Sequence, residues 1–149
     1  MVQKIDEPLT LGVDLGGTKV NVALVDATGR LLFAHKSPIH ASKEPERVIV
    51  DILTAIDRCL SKTGQEAKAL GIGIAAQVDL KGVVHGSPNL GWRNFPLKQK
   101  LEKQIGLPVV VTNDVNAATW GEWRYGAGRG VDNLAVLFVG TGIGGGIIT

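Results

Sequence analysis

The sequence predicts an α/β domain built on a mixed sheet of five strands. The first segments alternate apolar and polar residues and are joined by turn residues, as antiparallel strands usually are. A longer segment then repeats apolar residues at helical spacing. The later apolar runs lack polar alternation and follow helices, which is typical of strands that are buried on both faces and parallel to an earlier strand.

The first half of the chain is predicted to form an antiparallel meander followed by one long helix. The turn Asp26-Ala27-Thr28-Gly29 separates the second strand from the third. The predicted strands are 10–14, 19–26 and 30–36. The helix is expected between Pro45, which suits a first helical turn, and Gly64, a common stop, because apolar residues recur at every fourth position between them.

The second half is predicted to alternate strands with helices and to end in a second hairpin. A glycine-rich loop with a short strand at Val83-Val84 is expected at 77–94. The other predicted strands are 69–75, 109–112, 134–139 and 146–149, and the predicted helices are 97–105 and 117–125. The final hairpin could begin a second copy of the unit, since a fold that stopped there would leave an unpaired apolar edge.

Composition argues against several classes of protein. The net charge is only +2 and the basic residues are dispersed, which argues against a nucleic-acid interface. The single cysteine, Cys59, excludes an internal disulfide and fits a reducing cytosol. No uncharged run has the length of a membrane span, and the N-terminus lacks the apolar core of a signal peptide. A cytoplasmic protein without nucleic-acid or membrane partners is therefore expected.

Two glycine-rich loops stand out, because 20 of the 149 residues are glycine, against an ordinary share of about 7%. The first loop is Asp14-Leu15-Gly16-Gly17-Thr18-Lys19, and the second spans Gly140–Gly146. The second satisfies G-x-G-x-x-G, but no helix follows it, which disfavours a dinucleotide site. Exposed backbone N–H groups of such loops bind anions, so the two loops are predicted to hold a polyphosphate, with a hydroxyl from Thr141. Turns without a ligand are the alternative.

Carboxylates and amides beside the predicted strand ends indicate catalytic chemistry. Asp14 adjoins the first glycine loop and is placed to bind Mg²⁺ through water, with a turn or capping role as the alternative. Asp114 follows a buried strand, where it could accept a proton from an alcohol that attacks phosphorus. Capping of the next helix is the alternative for Asp114. Asn89 and Trp92 lie in a loop whose composition suits a sugar, although packing would also explain Trp92.

Four segments in register resemble the N-terminal half of the ROK family of sugar kinases, and most of all its bacterial glucokinases. These segments are LGVDLGGTKVNVALVDATG, PNLGW, NDVNAA and GTGIGGGI, and the resemblance extends from about residue 10 to the last residue. The family has a ribonuclease H-like fold of the actin-like ATPase superfamily, repeated in two lobes. The resemblance implies an N-terminal lobe at 1–128, with 129–149 as the beginning of a truncated second lobe.

The resemblance also implies transfer of a phosphoryl group from ATP, with Mg²⁺, to a hexose, and glucose is the expected substrate. Asn89, Asn113 and Asp114 match residues that bind the sugar, and Asp114 matches the catalytic base. The residues that match the phosphate loops are Gly16, Gly17, Thr18 and Lys19 in the first and Thr141 and Gly142 in the second. One departure is Ala76-Gln77, where the family often has Pro-Gly, so the loop beside the sugar is expected to differ in shape.

Two further functions stay open as alternatives. A sugar-responsive repressor of the same family would carry a winged helix-turn-helix before the first loop, and only nine residues precede Thr10. A non-catalytic sugar- or nucleotide-binding module is the other, although Asp114 within an intact NDVNAA argues against it. Without the second lobe the chain is expected to show no turnover. The choice of hexose, the phosphoryl donor and the number of subunits, with a homodimer as one candidate, are not decided by the sequence.

Overall fold

The computed structural model of the protein describes residues 7–139 and 143–149. In chain order the elements are β1 (Thr10–Leu15), β2 (Lys19–Val25), β3 (Leu31–Pro38), α1 (Pro45–Thr63), β4 (Ala69–Ile74), β5 (Gln77–Val78), β6 (Val84–Ser87), β7 (Trp92–Phe95), α2 (Leu97–Ile105), β8 (Val109–Asn113), α3 (Asp114–Tyr125), β9 (Leu134–Val139) and β10 (Ile143–Ile148). Most of these elements fall where the periodicity of the sequence predicts them.

A five-stranded sheet in the order β3-β2-β1-β4-β8 forms the main body. The three N-terminal strands form an antiparallel meander, whereas β1, β4 and β8 are parallel neighbours. Helix α1 connects the meander to β4, and α2 precedes β8, because parallel neighbours need a long crossover between them. The predicted α/β class with a mixed five-stranded sheet is confirmed.

One face of this sheet carries the hydrophobic core. Every second residue of β1, β2 and β4 is a buried Leu, Val or Ile, as a side-chain period of two requires. Helix α1 packs on the meander and buries its apolar stripe, which includes Val48, Ile52 and Ile56. The helix begins at Pro45 and ends at Gly64, whose φ is 62° and whose N–H donates to Leu60 O at 2.8 Å.

On the opposite face of the sheet, the β1–β4 pair carries glycine at three positions. In the β1–β4 pair, Gly12 lies beside Gly71 and Asp14 lies beside Gly73. Helix α3 packs over β4 on this face, and β10 packs against α3. Glycine leaves no side chain between the sheet and the helix, so the two backbones approach closely at the strand ends.

Two predicted segments differ in the structure. The segment predicted as a loop at 77–94 forms a small antiparallel sheet in the order β5-β6-β7. Its strands have two to four residues each, too few for a periodic pattern to be recognised. Strand β10 begins at Ile143 rather than at Gly146, because Gly144 and Gly146, which suggested a loop, occupy inward positions of the strand. Trp92 is buried, with 3% of its surface exposed, so packing describes it correctly.

The hairpin of β9 and β10 exposes an apolar outer face. Leu137, Val139, Ile143 and Ile147 are each more than 70% exposed, and they alternate with inward-facing residues. Within the described ranges, no helix is long and apolar enough to cross a membrane.

Candidate active site

The first glycine loop is a tight turn between β1 and β2. The N–H of Gly16 donates to Lys19 O at 3.0 Å and closes the turn. Thr18 and Lys19 are exposed, so both side chains can reach a ligand outside the loop. Gly17 lies against the turn between β6 and β7: a Cβ at this position would be 3.1 Å from the Cβ of Asn89. The predicted phosphate loop and one of the predicted sugar residues are therefore neighbours.

Asp14 occupies the end of β1 immediately before this loop. The β1–β2 register places it beside Asn21, and the Nδ2 of Asn21 donates to Asp14 Oδ2 at 2.8 Å. This hydrogen bond fixes the carboxylate while most of its lone pairs stay available to solvent or an ion. No role for Asn21 is predicted from the sequence, although its position opposite Asp14 in a short hairpin indicates one.

Asp14 and Asp114 line one cavity of about 470 Å³. Asp14 lies at the end of β1 and Asp114 follows the end of β8, on either side of β4. Since these three strands are parallel, their carboxyl ends meet at one edge of the sheet, where ligands of α/β folds bind. The structure thus brings together two carboxylates that are 100 positions apart in the sequence.

Gly73, at the centre of this edge, sets the position of Asp114. A Cβ added to Gly73 would lie 3.3 Å from both Asp114 Cα and Ala117 Cβ, which is closer than side chains normally pack. A side chain here would push the first turn of α3 away from the sheet. From the sequence alone, Gly73 is predicted only as part of a buried strand.

Replacing Gly73 with alanine should lower kcat of a reaction that depends on Asp114 about fivefold, or roughly 1 kcal/mol of transition-state stabilisation. The cause would be a shift of a few tenths of an ångström at Asp114. Gly71→Ala is the matched control, because its nearest obstacle is Leu11 O at 4.0 Å. Steady-state kcat of both variants checks this, and equal rates for the two would contradict the packing argument.

Asn113, and not Asp114, caps helix α3. Asn113 Oδ1 accepts the N–H groups of Val115 and Asn116 at 2.9 and 3.2 Å, as an N-cap side chain does. Its Nδ2 donates to Ala76 O at 3.3 Å, which leaves one amide hydrogen for a ligand. The helix therefore begins at Asp114, three residues earlier than predicted, and the capping alternative for Asp114 is wrong.

The second glycine loop is described only from Ile143 onward, and the predicted phosphate-binding residues Thr141 and Gly142 lie outside the described residues. Gly144 and Gly146 face α3, where a Cβ would lie 2.7 Å from Val115 Cγ2 and 2.0 Å from Thr119 Oγ1. These two glycines serve the packing of β10 on the helix that carries Asp114. From the sequence, the run Gly140–Gly146 is predicted to be an anion-binding hairpin with ligand contacts at Thr141 and Gly142, and a packing role for its later glycines is not predicted.

Over the described part of the chain, no group of three or more His, Cys, Asp or Glu residues could hold a metal ion unaided. A cation at Asp14 would therefore need oxygen ligands from water or a bound phosphate, which is the coordination that Mg²⁺ prefers.

Gln77 is exposed at the start of β5, directly after Ala76, whose carbonyl oxygen accepts a hydrogen bond from Asn113. The departure at Ala76-Gln77 thus adjoins the candidate sugar residues.

A histidine–carboxylate pair supports the small sheet that carries Asn89. His85 Nε2 lies 3.0 Å from Asp79 Oδ2, and His85 Nδ1 lies 3.2 Å from Asn94 Oδ1. Both ring nitrogens can donate only in the imidazolium form. The hydrogen bond to Asp79 is the main cause that raises the pKa of His85 above its ordinary value of 6.5. The pKa of Asp79 is lowered, chiefly by the N–H of Val83 and then by His85.

This pair predicts a pH-dependent stability. A raised folded-state pKa means that His85 contributes stability below about pH 6.5 and loses it as the pH rises through the folded-state pKa. Asp79 stays ionised across this range because its own pKa is lowered. We expect the melting temperature to fall more between pH 6 and 8.5 in the unmodified protein than in His85→Gln. A difference that persisted in Asp79→Asn would speak against the pair as its source.

The amino-acid sequence is similar to the sequences of proteins from a known family. The sequence profile of the ROK family matches residues 10–149. The glucokinase of Streptomyces coelicolor is 45% identical over 141 residues, which cover 94% of this chain and 43% of that protein. The xylose repressor of Caldicellulosiruptor bescii is 30% identical over 142 residues, which cover 93% of this chain and 36% of that protein.

The fold matches as well. The crystal structure of a ROK family glucokinase from Streptomyces griseus in complex with glucose and AMPPNP superimposes with a TM-score of 0.85 at 45% identity. The match covers 94% of this chain and 44% of that one, so the chain spans less than half the length of these relatives. The predicted actin-like ATPase fold is confirmed by this match.

Proposed function

Because the chain belongs to the ROK family, we propose that residues 1–128 are the N-terminal lobe of an ATP-dependent hexose kinase and that residues 129–149 begin its second lobe. Glucose is the proposed substrate and glucose 6-phosphate the proposed product. The observation that carries the proposal is the cavity shared by Asp14 and Asp114 next to the first glycine loop. Asp14 directly precedes the first glycine loop in the chain, and Asp114 lines the same cavity as Asp14.

Asp114 is the proposed general base. Its carboxylate would accept the proton of the sugar hydroxyl as the hydroxyl oxygen forms its bond to the γ-phosphorus and the bond to the β-phosphate oxygen breaks. The position suits this role because Asn113 relieves Asp114 of capping the helix, which leaves its oxygens free for substrate. Gly73 supports the role by letting the first turn of α3 lie close to β4.

The first glycine loop and Asp14 fit a nucleoside triphosphate with Mg²⁺. Gly16 and Gly17 have no side chain to keep phosphate oxygens from the loop N–H groups, and Thr18 and Lys19 are exposed beside them. Asp14 retains lone pairs for ordered water after accepting from Asn21. When bound, Mg²⁺–ATP supplies the electrophilic phosphoryl group. The second loop would contribute through Thr141 and Gly142, as the sequence motif suggests.

Asn89 and Asn113 are the proposed sugar-binding amides of this lobe. Asn89 is exposed in the turn that packs on Gly17, and Asn113 keeps one amide hydrogen beyond its bond to Ala76 O. An amide adjacent to Asp114 in the chain and a second amide beside the first glycine loop can orient a hydroxyl group for attack while they satisfy its neighbours. This arrangement favours a polyhydroxylated substrate over a simple alcohol.

The apolar outer face of the β9–β10 hairpin supports the proposed lobe boundary. Four large apolar side chains of this hairpin are more than 70% exposed, and exposed apolar patches of this kind usually mark a surface that another element covers. We propose that the second lobe continues from this hairpin and covers it. Its apolar face is then the start of a second core rather than free surface.

A sugar-responsive transcriptional regulator is the second candidate. The 30% identity to the Caldicellulosiruptor bescii xylose repressor favours it. A regulator needs to bind sugar but does not need a base that accepts the proton of a hydroxyl group. The two candidates therefore make opposite predictions for turnover.

The test is a coupled ADP-release assay on the complete kinase with glucose, mannose, fructose and N-acetylated hexoses, using ATP and, separately, polyphosphate as donor. Turnover with at least one hexose is expected. Sugar binding without turnover would favour the regulator or a non-catalytic module. The 149-residue chain is expected to show no turnover by itself, because it spans less than half the length of the kinase that it resembles.

A further inference from the structure

The segment that connects β3 to α1 contacts both the first glycine loop and the turn between β6 and β7 that carries Asn89. The N–H of Ile39 donates to Thr18 O of the first glycine loop at 3.0 Å. At the other end of this connection, Lys43 Nζ donates to Asn89 O at 2.8 Å, and Trp92 Nε1 donates to Lys43 O at 2.7 Å. This segment therefore contacts the first glycine loop through Ile39. Through the side chain and the backbone carbonyl of Lys43, it also contacts the turn that carries Asn89 and the strand that follows it.

Lys43 is held in an unusual backbone conformation. Its φ is 55°, in the left-handed region where glycine is the default residue. Its N–H donates to His40 O at 3.0 Å, and the N–H of His40 donates to Asp51 Oδ2 of α1 at 2.7 Å. The segment is thus fixed to the long helix before it reaches the site. A lysine here is uncommon, because few residues other than glycine adopt a positive φ.

The ammonium group of Lys43 binds the turn between β6 and β7 that carries Asn89. Asn89 lies between Ser87 and Trp92, and Gly91 N–H donates to Ser87 O at 2.7 Å. Ser87 anchors the start of the turn to Ala75 O at 3.2 Å, and Trp92, buried at 3% exposure, anchors its end. Between these anchors Lys43 Nζ makes a charge-assisted bond to the turn's own carbonyl.

We propose that Lys43 is a positioning residue of the sugar site, whose ammonium group holds the Asn89 turn against the first glycine loop. This inference rests on the proposed function, because Asn89 binds sugar only if the protein is a sugar-binding member of the family. The close contact between Asn89 and Gly17 makes the position of the turn consequential. A turn released from Lys43 would move away from the loop and carry Asn89 with it.

The test compares Lys43→Met and Lys43→Arg in the complete kinase, with Lys103→Met, an exposed lysine on α2, as control. Glucose affinity is measured by calorimetry, kcat and KM for glucose by steady-state kinetics, and amide hydrogen exchange across residues 87–92 by mass spectrometry. For Lys43→Met we expect a roughly tenfold rise in both the dissociation constant and KM, with kcat within twofold. Exchange across the turn should accelerate, Lys43→Arg should restore most of the affinity, and Lys103→Met should match the unmodified protein.

Glucose affinity within twofold of the unmodified protein in Lys43→Met would overturn the inference. So would equal losses in Lys43→Met and Lys43→Arg, because the charge-assisted bond would then be irrelevant. If the unmodified protein binds glucose but transfers no phosphate, the kinase proposal fails while the affinity series still decides the role of Lys43. Absence of hexose binding by the unmodified protein would overturn both.

Discussion

Asp114→Asn should lower kcat of the complete kinase by about 10²–10⁴-fold, the range that a general base usually contributes. The amide has nearly the shape of the carboxylate but cannot accept the proton of the attacking hydroxyl. Glucose affinity should change by only a few-fold, because Asn89 and Asn113 are untouched and Asn113 still caps α3. Steady-state kinetics combined with glucose calorimetry separates the two effects.

The control for this substitution is Asp132→Asn, at an exposed aspartate in the segment before β9. It removes the same charge from the protein, so any change in the general electrostatic field is matched. A kcat of Asp114→Asn above one third of the unmodified value would falsify the assignment of Asp114 as the base. A large loss of glucose affinity in the variant would instead show that Asp114 acts mainly in binding.

Gly146→Ala should destabilise the protein by about 2 kcal/mol, within the range for inserting a methyl group into a packed contact. The new Cβ would overlap the side chain of Thr119, because Thr119 Oγ1 lies 2.0 Å from the position that the Cβ would occupy. Thr119 is buried and donates to Val115 O at 2.7 Å, so it cannot turn aside without losing that bond. Strand β10 would therefore shift away from α3.

Gly145→Ala provides a matched control in the neighbouring position. Gly145 faces the other side of the hairpin, and its added Cβ would have no neighbour closer than 3.5 Å. Urea denaturation measures the free energy of unfolding for both variants. Equal destabilisation would mean that strand propensity, rather than contact with α3, explains the glycine at position 146.

The sequence predicts the main sheet well because its signals are local. Strand alternation, the four-residue repeat of α1, and the Pro45 and Gly64 boundaries depend on neighbours within a few positions. Local signals fail where elements are short. They also fail where a glycine could belong either to a loop or to a closely packed strand. The strands of the small sheet contain too few residues for a period, and the inward glycines of β10 resemble a loop.

The candidate residues Asp14, Asn89, Asn113 and Asp114 follow from motifs in the sequence, but their supporting contacts do not. Asn21, Gly73 and Lys43 act through cross-strand pairing, close backbone approach or a bond across 46 positions. None of these contacts produces a periodic pattern in the sequence, since each depends on which strands become neighbours. The exclusion of Asp114 as the cap likewise required the hydrogen bonds of Asn113.

By itself the sequence determines the elements of the main sheet, its mixed character and the family, because these follow from hydrophobic periodicity, turn residues and four motifs in register. Only the tertiary structure decides that the ends of β1 and β8 place Asp14 and Asp114 on one cavity. It also decides that Gly17 of DLGGTK packs against the turn that carries Asn89, and that Lys43, from a third segment, donates a hydrogen bond to this turn. The physical reason is that side chains distant in sequence meet only after strand order and register are fixed.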